Sequence, residues 1–175
     1  MNKYIPKMYR KTIYDINYDK LKEMGIKCLI FDLDNTILEI DKFIPEKKVC
    51  KLIDKLKKEF KIYIISNNSH TDRIVPASKE LGVDYINFAL KPFSKGFRRV
   101  AKEGKFKKSE ICNIGDQIMT DVLGGNRFGI FTILVEPLST NELKVTGINR
   151  FFERRQLKKL AKRGLFKKGE YYEWR

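Results

Sequence analysis

No stretch of the 175-residue chain approaches the roughly 20 consecutive apolar residues that a membrane span requires. Cysteine is scarce and odd in number. Cys28, Cys50 and Cys112 are widely spaced and set in apolar patterns, which argues against a disulfide framework or a zinc site and reads as reduced core thiols of a cytoplasmic protein. The first residues, Met1-Asn2-Lys3-Tyr4-Ile5-Pro6-Lys7, carry base but no apolar core, so they do not read as a secretory signal. Acidic residues are outnumbered, 22 against 37 Lys and Arg, leaving a net charge of +15. What remains is a length suited to one domain with a full hydrophobic core.

The excess base is uneven. Residues 1–27 carry +4, residues 150–175 carry +7, and the 122 residues between them carry only +4. Two basic ends suggest a polyanionic partner such as an anionic membrane surface or nucleic acid, against the plainer reading of a solvated Lys-rich surface.

Residues 1–22 are too irregular for an assigned element, and Leu21–Gly25 reads as a short helix stopped by glycine. From residue 27 the pattern becomes regular. Strands are expected at about 27–33, 61–66, 83–88, 111–115 and 130–135, rich in β-branched and aromatic residues. Helices are expected from Pro45 to Phe60, Asp72 to Leu81 and Ser94 to Glu103, with a helical or turn-like stretch from Gln117 to Phe128 interrupted by Gly124 and Gly125. Alternation of this kind predicts an α/β fold: a Rossmann-like three-layer α/β/α sandwich on a mostly parallel, five-stranded sheet. In such sheets ligands bind outside the carboxyl ends of the strands. The expected organisation is a basic aromatic segment over 1–26 on or near the core, the core itself over 27–149, and a basic helix or tail over 150–175.

Function is most legible in Cys28-Leu29-Ile30-Phe31-Asp32-Leu33-Asp34-Asn35-Thr36, an apolar strand that ends abruptly in two aspartates. Charge at the end of a buried strand is costly unless a cation meets it. Asp32, Asp34 and Thr36 alternate, so an extended chain points them the same way. Ser66, Lys91 and Asp116 each fall at or just after another expected strand end, and Asp121 follows closely. Three carboxylates with a fourth nearby, a lysine and a hydroxyl suit phosphate and Mg²⁺, a hard cation with oxygen ligands. Such a set supports a carboxylate nucleophile on phosphorus, a lysine and a serine on the phosphoryl oxygens, and a second carboxylate moving the proton.

These residues resemble a known family. Asp32-Leu33-Asp34-Asn35-Thr36 is similar to motif I of the haloacid dehalogenase (HAD) superfamily, Ser66-Asn67 to motif II, Lys91-Pro92 to motif III and Gly115-Asp116-Gln117-Ile118-Met119-Thr120-Asp121 to motif IV, in order across residues 28–136. The resemblance implies Asp32 as nucleophile and metal ligand. It implies Asp34 as general acid and base, with its backbone carbonyl on the metal. Ser66, the Asn67 backbone and Thr36 would take the phosphate, Lys91 would bridge phosphate and nucleophile, and Asp116 would complete the Mg²⁺ shell. Asp121 would be an outer or occasional ligand. Only 29 residues separate Thr36 from Ser66 and 24 separate Ser66 from Lys91, too few for the cap domains of relatives that enclose small metabolites. An open site suits a substrate anchored elsewhere, such as a lipid, polymer or protein.

As a whole the chain resembles the capless IIIA-type YqeG family, itself similar to the phosphatidylglycerophosphate phosphatases of mitochondria and plastids. The implied reaction removes the terminal phosphate of phosphatidylglycerophosphate, a phosphorylated lipid headgroup, in the cytoplasm or at the inner face of the membrane. Leu157, Leu160, Ala161 and Leu165 lie close together in the basic C-terminal segment, which would lie on an anionic leaflet, pack on the sheet, or do both. The rival readings keep the chemistry but move the phosphate to a nucleic-acid end or phosphoprotein, or make the chain a non-catalytic basic adaptor. Glu39 and Asp41 fall in a loop placed to cover the site. Sequence assigns no role to His70, Arg73 or Arg98.

Overall fold

A computed structural model describes residues 2–139 and 147–174, with the backbone alone over 147–151. Six parallel strands, β1 (Met8–Arg10), β2 (Cys28–Asp32), β3 (Lys61–Ile65), β4 (Asp84–Ile86), β5 (Ile111–Gly115) and β6 (Phe131–Val135), form one sheet in the order β1-β6-β5-β2-β3-β4. The helices are α1 (Tyr18–Glu23), α2 (Lys47–Leu56), α3 (Ile74–Leu81), α4 (Lys95–Glu103), α5 (Leu123–Phe128) and α6 (Gly147–Lys162).

The period of two along each strand decides which helix covers which face. Leu29, Phe31, Ile62, Ile64, Cys112 and Ile114 face one way, onto Leu21 of α1, Val49, Ile53 and Leu56 of α2, and Ile74, Ala77 and Leu81 of α3. Cys28, Ile30, Tyr63, Ile65 and Ile111 face the other, onto Phe97 and Val100 of α4 and Phe128 of α5. This is the expected three-layer sandwich, with six strands rather than the expected five. The sixth is β1, an edge strand only three residues long in a segment without clear periodicity. Its partner, not its own pattern, makes it a strand, with Met8 aligned on Ile133 and Arg10 on Val135.

A third, smaller apolar cluster gathers Tyr9, Ile118, Val122, Leu134, Leu160 and Phe166, joined by Leu157 and Tyr172. Through it the basic C-terminal segment lies along the sheet edge: Leu160 is buried and Leu157 partly so, whereas Ala161 and Leu165 are exposed. Tyr9 and Tyr172 exchange backbone bonds of 2.9 and 3.0 Å in an antiparallel bridge. Residues 140–146, inside the expected 27–149 core, lie outside the described residues. Among the described residues no helix is long and apolar enough to cross a membrane.

The chain runs outward from β2 through β3 to β4, then returns to β5 and continues through β6. The switch in direction falls between β2 and β5, the crevice where ligands of such sheets bind. Asp32 ends β2, and Asp116 follows β5.

Candidate active site

At that crevice Asp32, Asp116 and Asp121, all buried, each present an oxygen within 4.8 Å of the others. Lys91, 6% exposed, donates its ammonium to Asp32 and, at 2.7 Å, to Asp121. Burial is the largest influence on Asp32 and drives its carboxyl well above the usual range; Lys91 opposes it, and Asp121, Asp116 and Asp34 add to it. Burial also works against the Lys91 ammonium, but Asp121 and Asp32 outweigh it and hold that group above its ordinary value.

The four segments that carry these groups are locked to one another by local hydrogen bonds. Asn67 accepts from the Lys91 backbone N–H at 2.7 Å and donates to the Lys91 carbonyl at 2.8 Å, so its side chain fixes the lysine and leaves only its backbone for a ligand. Ser66 stands at the end of β3, its carbonyl accepting from Ala89, its hydroxyl accepting from Asn68 N–H at 3.1 Å and directed at Asp34 Oδ2 at 3.4 Å. Asn35 sits at φ 60°, and its N–H closes a tight turn on the Leu38 carbonyl at 2.8 Å. Thr36 is buried in that turn, and its hydroxyl oxygen has no hydrogen-bond partner among the described residues.

Asp121 belongs to the centre rather than its periphery. Residues Ile118–Val122 form a π-helical turn in which the Gln117 carbonyl receives both Asp121 and Val122 N–H groups. That wide turn brings Asp121 back over β5. A Cβ on Gly115 would lie 2.2 Å from Asp121 Cγ, so residue 115 has no room for a side chain. Asp121 is further held by Gln117 N–H at 3.2 Å and, through its backbone carbonyl, by the Asn113 amide at 3.3 Å.

Asp34 stands apart from the trio. Its carboxylate pairs with Arg73, whose guanidinium also donates to the carbonyls of Lys42 at 3.1 Å and Glu39 at 2.6 Å. Arg73 thus ties the second aspartate to the loop after motif I. Its sequence position, just before α3, carries no sign of this. The same is true of Glu153 on α6, which accepts from the Ile118 N–H at 2.7 Å and so anchors the π-helical turn from outside. His70 and Arg98 are exposed. Arg98 reaches only the Ser94 hydroxyl at 3.1 Å.

With Arg73 on Asp34, the three clustered carboxyl groups gather around one lysine, Lys91, which pairs with Asp32 and Asp121. Buried negative excess among hard oxygen donors fits a divalent ion such as Mg²⁺.

A family model described as mitochondrial PGP phosphatase matches residues 1–139. The chain is 39% identical over 162 residues to the probable phosphatase YqeG of Bacillus subtilis, covering 92% of this chain and 94% of that one. It is 29% identical over 147 residues to the chloroplastic/mitochondrial phosphatidylglycerophosphate phosphatase 1 of Arabidopsis thaliana, covering 79% of this chain but 42% of that relative. The fold is similar to the magnesium-bound HAD-hydrolase YfnB of Bacillus subtilis, at TM-score 0.52 and 16% identity over 69% of this chain and 91% of that one.

Proposed function

The chain belongs to the mitochondrial PGP phosphatase family and is a phosphatase of the HAD type; from that premise we propose that it hydrolyses the terminal monoester of phosphatidylglycerophosphate, with Mg²⁺, through an aspartyl-phosphate. The observation that carries the mechanism is the buried trio Asp32, Asp116 and Asp121 bridged by Lys91.

Asp32 is the nucleophile: of the two trio members bonded to Lys91, it ends β2 in the first motif, whereas Asp121 is held over β5 by the Gln117 N–H. A bound Mg²⁺, held by Asp32, Asp116, Asp121 and the Asp34 carbonyl, would offset phosphate charge and let two anions approach. Asp32 attacks phosphorus, the bond to the headgroup oxygen breaks, and that oxygen takes a proton from Asp34, which enters the step as the carboxylic acid and leaves it as the carboxylate paired with Arg73. Asp34 then takes a proton from water, which displaces the phosphoryl group and restores Asp32. Thr36, Ser66 and the Asn67 backbone receive the phosphoryl oxygens; the buried, unpartnered Thr36 hydroxyl supports that role. Arg73 holds Asp34 against the loop at Glu39–Lys42, so that it faces the leaving oxygen from one fixed direction.

The lipid assignment draws on the names of the relatives and on the open site. Between Thr36 and β3 lie only a loop and α2, and between β3 and β4 only a loop and α3, so neither connection holds a cap domain. The test is phosphate release from phosphatidylglycerophosphate in mixed micelles with Mg²⁺, beside soluble phosphosugars and a 3′-phosphorylated oligonucleotide. Release from the lipid that disappears with Asp32→Asn and with EDTA is the expected result. Metal-dependent release from the oligonucleotide alone would overturn the substrate and keep the chemistry.

A further inference from the structure

Four large apolar side chains are more exposed than any others among the described residues: Phe93 at 69%, Phe43 at 52%, Phe88 at 51% and Ile44 at 50%. They come from three separate parts of the sequence. Phe43 and Ile44 lie in the loop after β2, Phe88 follows β4, and Phe93 comes two residues after Lys91. Because every strand of the sheet is parallel, all three loops emerge at the carboxyl edge, around the mouth of the crevice. Each is held in place there. Arg73 grips the carbonyls of Glu39 and Lys42 beside Phe43, Phe88 N–H binds the Asn68 carbonyl at 3.0 Å, and Phe93 N–H binds that of Leu90 at 2.8 Å. Solvation does not reward such a placement; exposed phenylalanines at one edge mark a surface that something apolar covers.

The same edge is basic. A groove of about 440 Å³ runs from Phe93 along Ser94 and the outer face of α4, lined by Lys95, Arg98, Arg99 and Lys102. Of these, Arg99 pairs with Glu103 at 2.7 Å. Aromatic side chains beside lysines and arginines match the boundary between anionic headgroups and acyl chains.

We propose that this catalytic edge is the membrane-docking surface: Phe43, Ile44, Phe88 and Phe93 enter the interfacial region of an anionic bilayer while the α4 base rests on its headgroups. The occupant is a phospholipid bilayer rather than a protein or RNA, because the four apolar side chains stand exposed on separate loops and adjoin the positive charge of Lys95, Arg98 and Lys102. The inference rests on the lipid reading of the site. It relocates contact from the basic C-terminal helix, whose Leu160 is already buried against the core, to the mouth of the site. The crevice then opens directly onto the leaflet that holds the substrate.

The experiment uses the full chain and vesicles of phosphatidylcholine with and without phosphatidylglycerol. Phe93→Trp, in a Trp174→Phe background, should be quenched by brominated acyl chains when the anionic vesicles bind. Phe43→Ser with Phe93→Ser should weaken vesicle binding at least about tenfold, at an unchanged thermal midpoint, and Arg98→Glu should weaken it with a shallower salt dependence. Lys158→Glu with Lys162→Glu on α6 should weaken it less than the paired serine exchange. Vesicle binding without quenching at position 93, or binding untouched by the serine exchanges and competed away by RNA, would overturn the docking surface. Turnover of phosphatidylglycerophosphate in detergent micelles reads the substrate separately. Turnover in micelles by a protein that ignores vesicles overturns docking alone; quenched, rim-dependent vesicle binding without that turnover supports docking and overturns the substrate.

Discussion

At Gly115 the Asp121 carboxylate occupies the space that a side chain would need, with Cγ only 2.2 Å from the position of a Cβ. Gly115→Ala must therefore push Asp121 off the trio and off Lys91. Misplacement on the scale of an ångström costs on the order of 100-fold in rate, and that is the expected loss in kcat with phosphatidylglycerophosphate, together with a higher Mg²⁺ requirement. Arg73 has the analogous relation to Asp34. Arg73→Ala should lower kcat about 10- to 100-fold and leave KM nearly unchanged if, as proposed, the guanidinium only positions Asp34 as proton carrier. Partial recovery in Arg73→Lys would separate this role from a merely structural one, in which KM and thermal midpoint would move with kcat. Both residues show how far a sequence reveals a site. Asp32, Ser66 and Asp116 were legible because each ends a strand or directly follows one, and Lys91 because it lies shortly after β4; a parallel sheet brings such positions together. Asp121 looked peripheral because its approach depends on a π-helical turn, which no spacing rule announces. Arg73 looked like any solvated arginine until the loop at Glu39–Lys42 closed on it.

The elements of the core were legible for a similar reason. Strands β2, β3, β5 and β6 are five-residue runs with both faces buried, and their apolar content is nearly continuous. The predicted helices of the core were drawn too long at Pro45–Phe60, where α2 spans Lys47–Leu56, and the short one expected at Leu21–Gly25 begins earlier, as α1 at Tyr18–Glu23. Terminal turns form or fray according to what caps them, and Glu46 gives α2 no side-chain cap. β1 was missed because a three-residue edge strand carries no periodicity of its own; the partner in β6 defines it. The C-terminal helix has a comparable dependence in reverse. Glu153 of α6 satisfies the buried Ile118 N–H at the head of the turn that carries Asp121. Glu153→Ala should cost about 1–3 kcal/mol, read from the urea midpoint, because it leaves that donor unsatisfied. Glu153→Gln keeps an acceptor oxygen and should recover most of it.

For the whole molecule, burial of neutral acids sets the alkaline limit of stability. Burial pushes the Cys28 thiol up to about 12 from an ordinary value of 9.0. Cys112, Tyr18 and Tyr9 are raised as well, burial being the largest cause in each. The folded chain keeps these protons where the unfolded chain releases them, so the contribution is complete below about pH 9 and declines as pH rises through the interval toward the folded values. Each such group steepens the loss by up to about 1.4 kcal/mol per pH unit. Urea unfolding under reducing conditions at about pH 8 and about pH 10 should show a marked drop, and Cys28→Ala should flatten it. An equal free energy at both pH values would contradict the assignment of these groups as buried and neutral. The bridge between Tyr9 and Tyr172 carries a different consequence, one of timing. A ribosome delivers residues 8–10 more than a hundred residues before their partners at 133–135 and 172. The nascent chain can pair β2, β3 and β4 early, yet Asp116 arrives late, and the Glu153 brace on the Asp121 turn arrives later still. Catalytic competence should therefore switch on abruptly as the tail emerges from the exit tunnel, so that a stalled or truncated chain is a folded half-sheet without a working phosphatase.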